Sequence, residues 1–339
     1  VLVVRLGAMG DILHAMPAVT ALRQAHPEWF LGWAVEPQWR GLLSAGDCTQ
    51  RSPQMPLVDR IHIVPAKQWA RAPLSGKTLR AIRQIRRELR DSSYDIAIDL
   101  QGAVRSAVIA RWARAERLIG EDKPREPAAR WFFRERVPTQ GTHVIEQAIE
   151  VVNRLAGESL PFVPASLPTE ESAEKAADAV PQPFVLLNPG AGWGAKRWPI
   201  DRYAEVACAL HGDGNSIVVN AGPGEEQLAQ ELRRIAGDFI HPVQPTLTEL
   251  IAITRKAALI IAGDTGPLHL ASALGRPVVA IFGPTDPARN GPFGGSFRVL
   301  RHPESRRDHT RRSEPEAGLL TIAPAAVIEA ARELLKESH

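Results

Sequence analysis

The chain has 339 residues, 44% hydrophobic and 23% charged, with a formal net charge of +3, a composition that places it among globular proteins rather than disordered ones. That length suits two domains with separate cores, and no apolar run approaches the roughly 20 residues that span a bilayer as a helix. Two cysteines, Cys48 and Cys208, supply neither a metal-ligand spacing nor a disulfide framework, a usage expected of a reducing cytoplasm.

Residues 1–6 read as a buried first strand, which Gly7-Ala8-Met9-Gly10-Asp11 turns into a helix running to about residue 25. Ile12, Met16, Val19 and Leu22 form its apolar face. Gly7 and Gly10 lack the G-x-G-x-x-G spacing of a dinucleotide site, so a nicotinamide cofactor is not indicated. Asp11 lies at the switch from strand to helix, where open α/β sheets place their ligands. It reads either as a cap for its own helix or as a general base that takes a proton from an attacking hydroxyl.

Strands follow at 31–35, 61–64 and 94–100, with helices near 37–45 and 77–91, an alternation that predicts a parallel sheet. The 77–91 helix sets Leu79, Ile82, Ile85 and Leu89 on one face and Arg80, Arg83, Arg87 and Arg90 elsewhere. Such a basic amphipathic helix suits a solvated face or an anionic membrane surface. Residues 1–155 carry 23 Lys/Arg against 16 Asp/Glu, whereas the remainder carries 18 against 22. A basic first half suits an anionic substrate, an anionic membrane or nucleic acid, or else a solvated Arg-rich surface.

A helix at 142–155 closes the first half. The stretch 157–183, rich in Pro, Ala, Ser and Glu, reads as a linker with one peripheral helix. The second half repeats the pattern: strands at 184–188, 216–220, 257–262 and 277–282, helices at 200–210, 225–236, 246–256 and after Gly266, and a tail helix at 324–336. Residues 301–312 read as a charged, irregular loop without assigned function. The expected domains are 1–160, a linker with a helix at 161–183, 184–322, and a C-terminal helix at 323–339. The fold class is α/β, two Rossmann-like halves with parallel sheets facing a central cleft.

Three loops at strand C-termini in the second half carry the chemistry. Asn188-Pro189-Gly190-Ala191-Gly192-Trp193-Gly194-Ala195-Lys196-Arg197 exposes backbone N–H groups beside two cations that suit phosphate oxygens. Ala221-Gly222-Pro223-Gly224-Glu225 offers a carboxylate to sugar hydroxyls. Asp264-Thr265-Gly266-Pro267-Leu268-His269 joins a buried strand to a helix whose free N–H groups and dipole suit an anion. Asp264 and Thr265 are N-cap residue types, Asp264 in part capping the helix, and His269 falls in its first turn. Together the loops predict a site for a nucleotide diphosphate. No D-x-D pair, H-E-x-x-H or Cys/His cluster indicates a metal.

Arg5-Leu6-Gly7-Ala8-Met9-Gly10-Asp11-Ile12-Leu13, Lys196-Arg197-Trp198-Pro199, Asp264-Thr265-Gly266-Pro267-Leu268-His269 and Phe282-Gly283-Pro284-Thr285-Asp286-Pro287 resemble the lipopolysaccharide heptosyltransferases of glycosyltransferase family 9. Asp99-Leu100-Gln101-Gly102 and Arg125-Glu126-Pro127 resemble the type I enzymes most, while Lys196-Arg197-Trp198, with Ala191 and Gly192 before it, looks more like type II. The resemblance implies a GT-B fold, with acceptor on the first domain, donor on the second, and a C-terminal helix crossing back to the first. It implies inverting, metal-independent transfer of heptose from ADP-L-glycero-D-manno-heptose, a co-substrate rather than a cofactor, to the Kdo region of lipid A. Asp11 matches the catalytic base; Gly190, Lys196, Glu225, Asp264, Thr265, Gly266 and His269 match donor-binding positions. Arg5, Gly10, Lys67, Arg71, Gln101 and Arg125 are the implied acceptor contacts. The implied setting is cytoplasmic, peripheral at the inner membrane, without nucleic acid. The alternatives are another GT-B nucleotide-sugar enzyme, such as an epimerase, or a nucleotide-sugar-binding protein without turnover.

Overall fold

The computed structural model describes residues 1–305 and 313–337, and the chain divides into two compact units, Val1–Pro168 and Thr169–His339. In the first unit β1 (Leu2–Val4) leads into α1 (Met9–Ala25), followed by β2 (Gly32–Val35), β3 (Arg60–Ile63), α2 (Ala66–Arg71) and α3 (Gly76–Asp91). Then come β4 (Ile96–Asp99), α4 (Val104–Trp112), β5 (Arg117–Glu121), β6 (Glu135–Val137) and α5 (Val144–Ala156). The strands are parallel in the order β3-β2-β1-β4-β5-β6, with Val4 in register with both Ala34 and Asp99. Strand order therefore reverses between β1 and β4, and the loops leaving their C-terminal ends border the crevice such a reversal opens.

Local chemistry explains the helices. Ile12, Met16 and Val19 of α1 are fully buried, as their spacing predicts. The Ser75 hydroxyl accepts from the Thr78 N–H at 3.1 Å and caps α3. Gly157, with φ of 79°, takes the left-handed position that ends α5. Ile85 and Leu89 of α3, Ala107 and Ile109 of α4, and Ala129 and Phe133 beside the turn at 127–132 share one core cluster with Leu2, Val4 and Ala97. Helices α1 and α5 pack on each other and contribute nothing to that cluster.

The second unit runs α6 (Glu171–Asp178), β7 (Phe184–Asn188), α7 (Ile200–Gly212), β8 (Ser216–Asn220), α8 (Glu226–Ala236), β9 (Ile240–Val243) and α9 (Leu247–Lys256). It continues with β10 (Leu259–Gly263), α10 (Gly266–Ala273), β11 (Val278–Phe282), α11 (Pro287–Asn290), β12 (Phe297–Arg301), α12 (Ala317–Thr321) and α13 (Pro324–Glu337). Its parallel sheet, in the order β12-β11-β10-β7-β8-β9, repeats the winding of the first and reverses between β7 and β10. Alternate strand residues serve opposite layers. Phe184, Leu186, Ile260 and Ala262 pack with α6, α9 and α10, whereas Val185, Leu187, Ile261 and Val279 pack with α7, α8 and α13. Both faces are covered, which is why these strands read as continuous apolar runs.

α13 buries Val327, Ala330, Ala331 and Leu334 in the second unit's core, against α7 and strands β10 to β12. Its apolar stripe finds a partner within its own unit. Within the 161–183 stretch, expected as a linker with one peripheral helix, α6 places Ala173 and Ala177 in the core and pairs Glu174 with Arg255 and Asp178 with Lys256 on α9. Part of the 301–312 loop, residues 306–312, lies outside the described residues, while Arg301 ends β12.

Candidate functional site

In the second unit, the C-terminal ends of β7, β10 and β11 bring together side chains far apart in sequence. Asp264 leaves β10 with its side chain 7% exposed, and Lys196, carried on the loop after β7, sets its Nζ 2.5 Å from Asp264 Oδ2. The Thr285 hydroxyl donates to the same oxygen at 2.6 Å. Nε2 of His269, one turn into α10, lies 3.2 Å from Asp264 Oδ1. Burial works to raise the Asp264 pKa, but the His269 hydrogen bond and the charges of His269 and Lys196 hold it well below the usual carboxylate range. The group is a carboxylate across ordinary pH, and it fixes a lysine and a histidine beside a helix N-terminus. Lys196 Nζ also lies 4.4 Å from the Trp193 ring centroid, a cation–π contact.

The N-cap of α10 is Thr265, and its hydroxyl donates to Gly263 O at 3.2 Å instead of capping the helix. The expected partial capping by Asp264 is replaced by the three side-chain contacts described above. The first N–H groups of α10, starting at Gly266, therefore have no side-chain cap from Thr265. Glu225 precedes α8 and accepts from the Gly222 N–H at 3.2 Å. A Cβ on Gly190 would lie 2.0 Å from Glu225 Oε2, so the glycine is what lets the carboxylate lie against the loop after β7. Thr285 was not singled out from sequence; its place in the loop after β11, the strand paired with β10, was the available signal.

In the first unit, Asp11 lies in the first turn of α1 with its side chain 37% exposed, so its carboxylate is reachable from solvent. Its Oδ2 accepts from the Ala8 N–H at 3.0 Å, which makes it a cap of its own helix, and its Oδ1 lies 3.0 Å from Arg5 Nη2. Arg5 further donates from Nε to Asp11 O at 3.1 Å and from Nη1 to Leu100 O. The guanidinium is thus engaged with the Asp11 turn and the loop after β4. Gln101 Oε1 accepts from the Leu6 N–H at 2.8 Å and ties the same two loops together.

Asp99, at the end of β4, is a missed residue of this arrangement. Its carboxylate accepts from Gln101 N at 2.7 Å, Gly102 N at 2.9 Å and Ser106 Oγ at 2.8 Å. Burial pushes it up to about 6 against those donors and Arg5. Gly102, with φ of +65°, also lets Arg125 approach, since a Cβ there would sit 2.9 Å from the Arg125 backbone nitrogen. Gly10 lies in the first turn of α1, and the Arg125 side chain is exposed. Lys67 and Arg71 lie one turn apart on α2 with exposed side chains; the Lys67 N–H donates to Glu36 Oε1 at 3.0 Å. Arg5 and Asp11 are therefore in contact and Gln101 is bonded to the neighbouring Leu6, whereas no hydrogen bond or ion pair among the described residues joins Lys67, Arg71 or the Arg125 side chain to them. No group of three or more His, Cys, Asp or Glu side chains suited to a metal occurs among the described residues.

Residues 82–319 match the sequence pattern of glycosyltransferase family 9 (heptosyltransferase). The chain is 29% identical over 310 residues to lipopolysaccharide heptosyltransferase 1 of Pseudomonas aeruginosa, covering 87% of this chain and 82% of that protein. The structure of the Escherichia coli heptosyltransferase WaaC with ADP superimposes with a TM-score of 0.81 at 25% identity, covering 100% of this chain and 99% of that one. Escherichia coli ADP-heptose lipopolysaccharide heptosyltransferase II gives a TM-score of 0.77 at 20% identity over 99% and 98% of the chains. The two doubly wound units thus have the GT-B fold class.

Proposed function

The chain belongs to glycosyltransferase family 9, the heptosyltransferases, and we propose that within it this enzyme moves heptose from ADP-L-glycero-D-manno-heptose to the Kdo region of lipid A. The observation that carries the reading is the Lys196–Asp264–His269 cluster at the start of α10. A buried carboxylate there holds a cation next to free helix N–H groups, and that combination suits a diphosphate. Transfer is a single displacement with inversion. Asp11 takes the proton of an acceptor hydroxyl, the oxygen attacks the anomeric carbon, and ADP leaves. Negative charge grows on the departing diphosphate, where Lys196 and the N–H groups from Gly266 onward stabilise it, so the protein itself supplies the countercharge.

Within this reading Glu225, backed by Gly190, accepts hydrogen bonds from sugar hydroxyls of the donor, and Thr265 and His269 complete the donor contacts. Arg5 and Gln101 hold the Asp11 turn in place, and Gly10 leaves room beside it. Lys67, Arg71 and Arg125 meet the anionic groups of the acceptor. A lipid acceptor makes the enzyme a peripheral protein at the cytoplasmic membrane face; among the described residues no helix is long and apolar enough to cross a membrane.

Mass spectrometry of Kdo-lipid A after incubation with ADP-heptose and the pure protein tests the proposal. A gain of one heptose with matching ADP release is expected. ADP release without acceptor would point to an epimerase-like reaction instead, and ADP binding without release would point to a binding protein.

A further inference from the structure

Helices α2, α3 and α4 and the 127–132 turn cover one face of the first sheet, and Ala66, Ile85, Leu89, Ala107 and Ala129 seat them on a shared core. The outward side of this layer has two features that packing leaves unexplained. Residues 66–91 carry eight Lys/Arg against two Asp/Glu, and α3 turns Arg80, Arg83 and Arg87 to solvent. None of these three forms an ion pair among the described residues. In addition, Leu74 just before α3 is 86% exposed, Leu79 in its first turn is 40% exposed, and Trp131 is 75% exposed. The Trp131 ring is flanked by the guanidinium carbons of Arg130 and Arg136, 5.9 and 5.8 Å from its centroid.

Large apolar side chains left in water on a face rich in cations, Arg80, Arg83 and Arg87 without an ion pair among the described residues, ask for a partner that is apolar and anionic at once. A bilayer surface is such a partner: leucine and tryptophan enter the headgroup boundary while guanidiniums meet lipid phosphates. A nucleic acid would satisfy the cations but leave Leu74 and Leu79 uncovered. We propose that this face of the first unit rests on an anionic lipid bilayer, with Leu74, Leu79 and Trp131 in the headgroup region and the α3 guanidiniums against the phosphates. The inference deepens the peripheral-membrane part of the proposed function. Its test contains neither donor nor acceptor, so its failure would leave the transfer reaction standing.

The full chain is sedimented with vesicles of phosphatidylcholine alone or mixed with phosphatidylglycerol. Binding at least about tenfold tighter to the mixed vesicles is expected, since one cation near an anionic surface is worth about fivefold. Arg83→Gln with Arg87→Gln should lower that binding about tenfold or more. Leu74→Ser with Trp131→Ala should lower it on both vesicle types, with circular dichroism and the thermal midpoint checking the fold. Equal partition of the unaltered protein onto the two vesicle types would overturn the proposal, as would undiminished binding by either folded double variant. Tighter binding to a short RNA duplex than to the mixed vesicles would assign the charge to nucleic acid and overturn it too.

Discussion

Replacing Lys196 by alanine separates what the ammonium does for the fold from what it does for a ligand. Its Nζ lies 2.5 Å from Asp264 Oδ2, with the two side chains 15% and 7% exposed, so solvent screens the pair little. Deleting one partner of so buried a pair costs about 3–5 kcal/mol. Asp264 keeps the Thr285 hydroxyl at 2.6 Å and His269 at 3.2 Å. Its carboxylate therefore stays hydrogen-bonded, and a loss near the lower figure, about 3 kcal/mol, is expected in the ligand-free protein. For ADP the variant lacks one charge-assisted contact, about 1.5–3 kcal/mol, or roughly 10- to 100-fold in Kd. Because part of the ammonium's charge already faces Asp264, the lower part of that range applies. Urea unfolding measures the first effect and titration calorimetry with ADP the second. Unchanged ADP affinity alongside the expected loss of stability would make Lys196 a structural partner of Asp264 alone and refute its role as a phosphate contact. Unchanged stability would refute the ion-pair argument.

Asp11→Asn should lower kcat by at least about a hundredfold, the usual scale for a lost general base, while leaving ADP affinity nearly intact; steady-state kinetics with full activity would remove Asp11 from that role. Asp99 makes stability depend on pH. Burial raises its carboxyl from 3.8 to about 6, so between those values the folded protein keeps a proton that the unfolded chain releases. Its contribution therefore falls as pH rises from about 4 to about 6, by roughly 3 kcal/mol in all. Asp99→Asn removes that dependence, and denaturant titrations on either side of the window should show the difference between the two proteins changing with pH; a constant difference would contradict the assignment. Gly190→Ala places a Cβ where Glu225 Oε2 now lies, and the flexible carboxylate swings away from the Gly222 N–H at little cost to the fold. ADP-sugar affinity should drop several-fold with the thermal midpoint nearly unchanged, and unaltered affinity would place Glu225 away from the donor.

The parts of the fold legible in the sequence were those whose burial is uniform. Strands β7, β10 and β11 are buried along their whole length, and such runs announce themselves without any partner being known. The strands passed over were mostly sheet edges. β6, β9 and β12 end their sheets, and each is half solvated. β9 even contains Pro242, which an edge tolerates because one side of the strand needs no ladder bond. β5 is interior but contains Gly120, where the Phe133 ring occupies the space of a Cβ, a requirement visible only from tertiary packing.

The site divides along the same line. Asp11, Lys196, Asp264 and His269 stood at strand-to-helix turns that sequence could place, because a parallel sheet collects its C-terminal loops on one edge whatever the strand order. Thr285 and Asp99 needed that order. Thr285 reaches Asp264 because β11 lies beside β10, and Asp99 acts next to Arg5 because β4 lies beside β1. Both contacts join neighbours across a sheet. That both units wind the same way gives the two pairs a common cause: each sheet reverses beside a strand with an aspartate at or just past its end, Asp99 closing β4 and Asp264 following β10. Yet the two carboxylates shift in opposite directions: burial works to raise both, but at Asp264 a histidine and a lysine outweigh it, whereas at Asp99 the hydrogen-bond donors and Arg5 do not. In one unit the aspartate at the strand end thus serves as a fixed charge that orients cations. In the other it is a carboxyl, near the point of protonation, that orders the loop beside Asp11. The side chains contributed by neighbouring strands decide which.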